Sequence, residues 1–165
     1  MTTDQDSVIA IKALLAEKII LLPTDTVWSM ACLPEAEQAI VQMLELKRAK
    51  GGENFELLFY SPAQLKQYCP ALHPRLDTLL SYFERPLTMA LPDVQGLPAV
   101  VYNEAGLVNV RVVRQPLLRG LIRAVRQPLV STIASIDDAH YPAYFGAISS
   151  SFLQAADHIM KIGQR

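Results

Sequence analysis

The run Ile19-Ile20-Leu21-Leu22, followed at once by Pro23-Thr24-Asp25-Thr26, constrains this 165-residue chain more than any other stretch. Four consecutive apolar residues predict a short strand buried on both faces. Pro23 has no N–H for a sheet ladder, so the strand ends there. Two hydroxyls and a carboxylate come next, then Trp28. α/β proteins place ligand contacts at the ends of buried strands. The same residues also read as a strand followed by an Asp-type helix cap, and the local sequence leaves both readings open.

The rest of the chain supplies helices to pack on such a strand. Val8, Ile9, Ile11, Leu14 and Leu15 predict a first helix over about 5–17. Ala36, Ala39, Ile40, Met43 and Leu44 form an apolar stripe that predicts a second, over 35–47. A polar break, Arg48 to Asn54, precedes a strand from Phe55 to Tyr60. Prolines then punctuate the chain. Pro62 and Pro74 sit at helix starts, predicting helices over 62–68 and 73–83. Strands are expected at 86–91, 100–102, 107–113 and 129–133, with a helix from Pro116 to Arg126. A loop over 135–146, a helix over 147–156 and a strand over 158–162 close the pattern. No repeat or linker interrupts it. Alternating strands and helices, with several short strands close together, predict one α/β domain over residues 1–165 on a mixed sheet.

Composition narrows the function classes. At 51% hydrophobic and 19% charged residues, the chain has enough apolar side chain for a sizeable core. No apolar run is long enough to span a bilayer. The acidic start, Met-Thr-Thr-Asp-Gln-Asp, is unlike a signal peptide. Cys32 and Cys69 have no C-x-x-C partner, which predicts buried reduced thiols and a cytoplasmic setting. His73, His140 and His158 lack metal-ligand spacing, so no structural metal is expected. A net charge of −1 excludes a general polycation. The positive charge is nonetheless uneven. Between Glu104 and Asp137 there are five arginines and no acidic residue. Arg119, Arg123 and Arg126 fall opposite the apolar face of their helix and read as a solvated surface.

Five motifs, in order, resemble the Sua5/YrdC/YciO family, whose members include threonylcarbamoyl-adenylate synthases. Pro23, Thr24, Asp25, Thr26 and Trp28 match the family's Pro-Thr-(Asp/Glu)-Thr-x-(Tyr/Trp)-Gly signature, with Ser29 at the glycine. Arg48-Ala49-Lys50-Gly51-Gly52-Glu53-Asn54 stands at its basic K-x-R-x-x-x-N loop, with lysine and arginine exchanged. Arg85-Pro86-Leu87-Thr88 matches G-P-x-T. Asn109-Val110-Arg111-Val112-Val113 matches x-x-R-x-P, and Pro128 to Asp138 the serine-rich P-L-x-x-(T/P)-S-A-N-x-S-G segment.

The resemblance implies a YrdC-like twisted mixed sheet with flanking helices and a concave basic pocket. It implies condensation of L-threonine, bicarbonate and ATP, with Mg²⁺, into threonylcarbamoyl-AMP and pyrophosphate. Partner proteins would then carry the group to tRNA for t6A37 modification. Thr26, Arg111 and Ser131 would hold threonine. Arg48, Lys50, Asn54 and Thr132 would face ATP. No side chain is assigned a catalytic step, because positioning and charge neutralisation can carry an adenylation.

The departures fall on the nucleotide side. Ile133 replaces a serine and Ser135 an asparagine, while Asp137 and Asp138 stand near the usual Ser-Gly. Family members continue beyond the segment that corresponds to Asp157–Gly163, whereas Gln164-Arg165 follow here. An alternative reading is therefore a relative that binds tRNA, double-stranded RNA or a nucleotide without adenylation.

Overall fold

The computed structural model describes residues 3–24, 26–48, 55–135 and 148–160. The elements run α1 (Thr3–Leu15), β1 (Ile20–Pro23), β2 (Trp28–Cys32), α2 (Glu37–Lys47), β3 (Glu56–Phe59), α3 (Pro62–Tyr68) and α4 (Pro74–Tyr82). Then follow β4 (Thr88–Leu91), β5 (Val108–Val112), α5 (Pro116–Val125), β6 (Leu129–Ile133), α6 (Ser150–Ala155) and β7 (His158–Ile159). The seven strands form one sheet in the order β4-β5-β3-β6-β2-β1-β7. Pairs β3/β5 and β1/β7 are parallel and the others antiparallel, so the sheet is mixed as expected.

Local chemistry accounts for the helix starts. Pro62, Pro74 and Pro116 each open a helix, where a missing N–H costs nothing. Ser61 caps α3, its hydroxyl accepting from the Gln64 amide at 3.1 Å. His73 caps α4 through Nδ1, which accepts from the Arg75 amide at 3.1 Å. Along α5, Leu118, Leu121, Ile122 and Val125 are buried at helical spacing. Arg119, Arg123 and Arg126 lie exposed on its other side.

One open reading is settled and one expectation is corrected. The chain after Thr26 does not enter a helix; it turns back as β2, antiparallel to β1. Every residue of β2 is buried, so the period-2 alternation that betrays a half-exposed strand is missing. The expected short strand over 100–102 is instead a 3₁₀ turn, Ala99–Val101. Pro98 leads into it, and the Tyr102 hydroxyl anchors it by donating to the Val94 carbonyl at 2.6 Å. Of the expected 135–146 loop, 136–146 lie outside the described residues, as do 161–165 at the terminus.

Alternation splits the sheet's side chains between two cores. On one face Leu21, Trp28, Met30, Leu57, Phe59, Val110 and Val130 pack with α2, α3, α4 and α6. On the other, Ile20, Leu22, Ala31, Leu58 and Leu129 pack beneath α1 and α5. A buried contact holds α1 to the sheet edge: Asp6 Oδ1 lies 2.7 Å from His158 Nε2 of β7. The two helices cover only part of their face. Ser29, Glu56, Thr88, Asn109, Arg111 and Ser131 fall on the same face by register but belong to neither core cluster. That polar end of the face is where the sheet can meet a ligand.

Candidate functional site

Alternation and register together build the site. Glu56 of β3 stands opposite Ser131 of β6, and Thr88 of β4 stands opposite Arg111 of β5. Because β3 also pairs with β5, the four side chains form one polar patch. They border a cavity of about 170 Å³, which Thr26, Ser29 and Asn109 also line. Pockets for drug-sized ligands measure roughly 300–1,000 Å³, so this smaller cleft suits a group the size of an amino acid.

Arg111 sits at the base, its side chain 3% exposed. Its Nε donates to Glu56 Oε1 at 2.7 Å. The Glu56 side chain is 25% exposed, and its Oε2 accepts from the Thr88 hydroxyl at 2.5 Å. Ser131 donates its hydroxyl to the Glu56 backbone carbonyl at 3.2 Å. Asn109 Nδ2 donates to the Phe55 carbonyl at 3.3 Å. A planar guanidinium held at one edge by a carboxylate is fixed in orientation, which suits it to recognise a second planar anion.

Thr26 reaches the cavity from the β1–β2 turn, and Thr24 shapes that turn. The Thr24 hydroxyl donates to the Val27 carbonyl at 2.8 Å and accepts from the amides of Thr26 and Val27 at 3.1 and 3.2 Å. The Thr26 hydroxyl lies 2.9 Å from it. This is a hydroxyl-capped turn, and it leaves Thr26 exposed at the cavity's edge. Asp25 lies outside the described residues.

Thus Thr26, Arg111 and Ser131, the residues expected on the threonine side, border one cavity. Of the residues expected on the nucleotide side, Arg48 and Thr132 are among the described residues. Arg48 is exposed at the C-cap of α2, in the left-handed conformation with φ 55°. Lys50 and Asn54 lie outside the described residues, with Asp137 and Asp138. Thr132 borders the cavity, but it pairs with Met30 and alternates to the face opposite Ser131. Its hydroxyl is buried without a hydrogen-bond partner among the described residues. The described lining therefore carries one guanidinium and one carboxylate, and it balances in charge.

Two residues were missed by local reading. Glu56 begins a strand that otherwise reads as apolar, and only its register with Ser131 brings it to the site. Lys47 looked like an ordinary helix-ending cation. It is instead buried, and its ammonium donates to the carbonyls of Ile133, at 3.2 Å, and Ser135. Among the described residues, no group of three His, Cys, Asp or Glu side chains converges to hold a metal ion. Nor, among them, is any helix long and apolar enough to cross a membrane.

Comparison with known proteins places these features in context. The Sua5/YciO/YrdC family model, described as telomere recombination, matches residues 12–165. A threonylcarbamoyl-AMP synthase of Escherichia coli O6:H1 is 32% identical over 130 residues, covering 77% of this chain and 68% of that protein. The P. abyssi Sua5 structure complexed with L-threonine superposes with a TM-score of 0.86 at 21% identity. It matches 99% of this chain, which spans about half (48%) of the Sua5 chain. E. coli YciO superposes with a TM-score of 0.80 at 19% identity, covering 96% of this chain and 77% of YciO. At those identities the two structures speak for the fold.

Proposed function

The chain belongs to the Sua5/YciO/YrdC family, and on that premise we propose that it is a threonylcarbamoyl-adenylate synthase-type protein. In this reading it condenses L-threonine, bicarbonate and ATP into threonylcarbamoyl-AMP and pyrophosphate, in the cytoplasm, and so serves t6A37 formation on tRNA through partner proteins. The observation that supports it is the meeting of Thr26, Arg111 and Ser131 at one small polar cavity.

Arg111 takes the threonine carboxylate. A charge-assisted guanidinium–carboxylate contact at a nearly dry base is both strong and directional. Buried Ser131 and exposed Thr26 supply hydroxyls. Arg48, Lys50 and Asn54, which follow α2 in the chain, are the partners of the triphosphate. Mg²⁺ bound to ATP would supply neutralisation of phosphate charge; the described residues offer no cluster of their own for it. The protein's work is to align the threonine amine with the carbon it attacks and to stabilise charge on the phosphates.

Incubation with L-threonine, bicarbonate and Mg²⁺-ATP tests the reading. Pyrophosphate release that requires threonine is the expected result. Threonine binding with no pyrophosphate would remove the synthase reading and leave a ligand-binding relative.

A further inference from the structure

Glu56 is the unexpected member of the site. A cavity that only had to grip a carboxylate and lie near a triphosphate would gain from cations. This one presents a carboxylate beside its guanidinium, the only carboxylate among its described lining residues. Like charges at close range repel, so Glu56 disfavours any purely anionic occupant. A carboxylate offers about four lone-pair positions. The bonds from Arg111 Nε and the Thr88 hydroxyl fill two, one on each oxygen. The remaining capacity belongs to a side chain that is 25% exposed and lines the cavity.

We propose that Glu56 is a specificity-determining residue that holds the ammonium group of an α-amino acid, so that the cavity selects the zwitterion. Arg111 and Glu56 then form a matched pair of opposite charges, fixed by their own 2.7 Å contact, for the two charged ends of one small ligand. Thr88 keeps the carboxylate in place from the neighbouring strand. The inference rests on the reading that an amino acid occupies this cavity. It concerns the bound zwitterion before any bond is made.

Calorimetric titration with L-threonine and with (R)-3-hydroxybutyrate, which keeps the carboxylate and hydroxyl but lacks the ammonium, tests it. The wild type should prefer L-threonine by at least about tenfold. Glu56→Gln keeps an oxygen for Arg111 and removes the charge. It should weaken L-threonine by about tenfold or more and leave 3-hydroxybutyrate equal or tighter, so that the preference disappears. The wild-type comparison stands even if the variant folds poorly. Equal affinities in the wild type, or a preference that survives in Glu56→Gln, overturn the proposal while threonine binding itself persists. A wild type that binds no α-amino acid overturns it together with the assignment of the cavity. A Glu56-dependent preference without pyrophosphate release upholds it and removes only the synthase reading.

Discussion

The ammonium of Lys47, in the last turn of α2, donates across 3.2 Å to the carbonyl of Ile133, the last residue of β6. It also donates to the Ser135 carbonyl just beyond the strand. The side chain is 5% exposed, so the contact is made in a nearly dry setting. One buried cation thereby fixes the end of the strand that carries Ser131. Lys47→Met keeps most of the volume and removes the donor. Loss of a buried charged donor costs about 1–3 kcal/mol, and the urea midpoint should fall accordingly. Pyrophosphate release should fall further than stability alone explains, because the end of β6 loses its tie. An unchanged midpoint would contradict this account.

Arg111 is the residue whose removal should matter most for threonine. A hydrogen bond to a charged group is worth about 1.5–3 kcal/mol. Arg111→Ala should therefore raise the threonine Kd by a factor of ten to a hundred or so. It also leaves the Glu56 carboxylate without its guanidinium, so stability should drop by about 1–3 kcal/mol. Arg111→Lys separates the effects. It restores charge and much of the stability, but not the planar fork, and threonine affinity should stay low. Unaltered affinity in Arg111→Ala would remove the carboxylate assignment.

Thr24 and Thr26 look equivalent in sequence, but they do different work. Thr24 spends its hydroxyl on the turn, while Thr26 is presented at the cavity. Thr24→Val keeps shape and removes the bonds. With water able to replace part of the loss, the cost should be about 1–2 kcal/mol in a denaturant titration. Thr26→Val should leave stability nearly unchanged and act on threonine affinity. The opposite assignment of effects would show that the turn is held differently.

The buried Asp6–His158 contact predicts how the sheet edge opens. Asp6 is buried on α1, and His158 lies on β7, the outermost strand. Asp6→Ala should cost about 1–3 kcal/mol by leaving the ring nitrogen unpartnered at that contact. The Met160 amide, which donates to the Leu21 carbonyl at 2.9 Å, should then exchange hydrogen faster than the amides of β3. Equal acceleration across the sheet would mean that the edge does not open by itself.

What the chain discloses locally and what it withholds follow from one physical division. Pro62, Pro74 and Pro116 mark helix starts because proline's preference for the first turn is local. Leu118, Leu121, Ile122 and Val125 disclose α5 for the same reason: the period lies within one segment. Trp28–Cys32 has no such period, since it is buried on both faces, and the Thr24 turn before it imitates a helix cap. The site divides likewise. Motif order singled out Thr26, Arg111 and Ser131. Glu56, and the face that Thr132 takes, needed pairing register, which for Glu56 and Ser131 joins residues 75 positions apart and is written in no short window. Adjacent positions such as Ser131 and Thr132 look interchangeable in sequence, yet a strand sends them to opposite faces.

The thiols make the last prediction, and it is one of pH. Burial pushes the Cys32 thiol far above its ordinary value of 9.0. Burial raises Cys69 as well, with the nearby Asp93 charge adding to it. Tyr68 is raised by burial and then by Glu35. In each case the folded chain keeps a proton that the unfolded chain gives up as pH rises through the ordinary value. The unfolded state then binds fewer protons, so stability must fall with rising pH above about 9. Urea midpoints should decline from pH 8 to pH 10, and Cys32→Ala should remove part of that decline. At pH 8 a thiol-specific aromatic disulfide should label Cys32 slowly in the native protein and rapidly in urea, because only the exposed thiolate reacts. Fast native labelling of Cys32 would mean that the core beneath β2 opens far more readily than its packing implies.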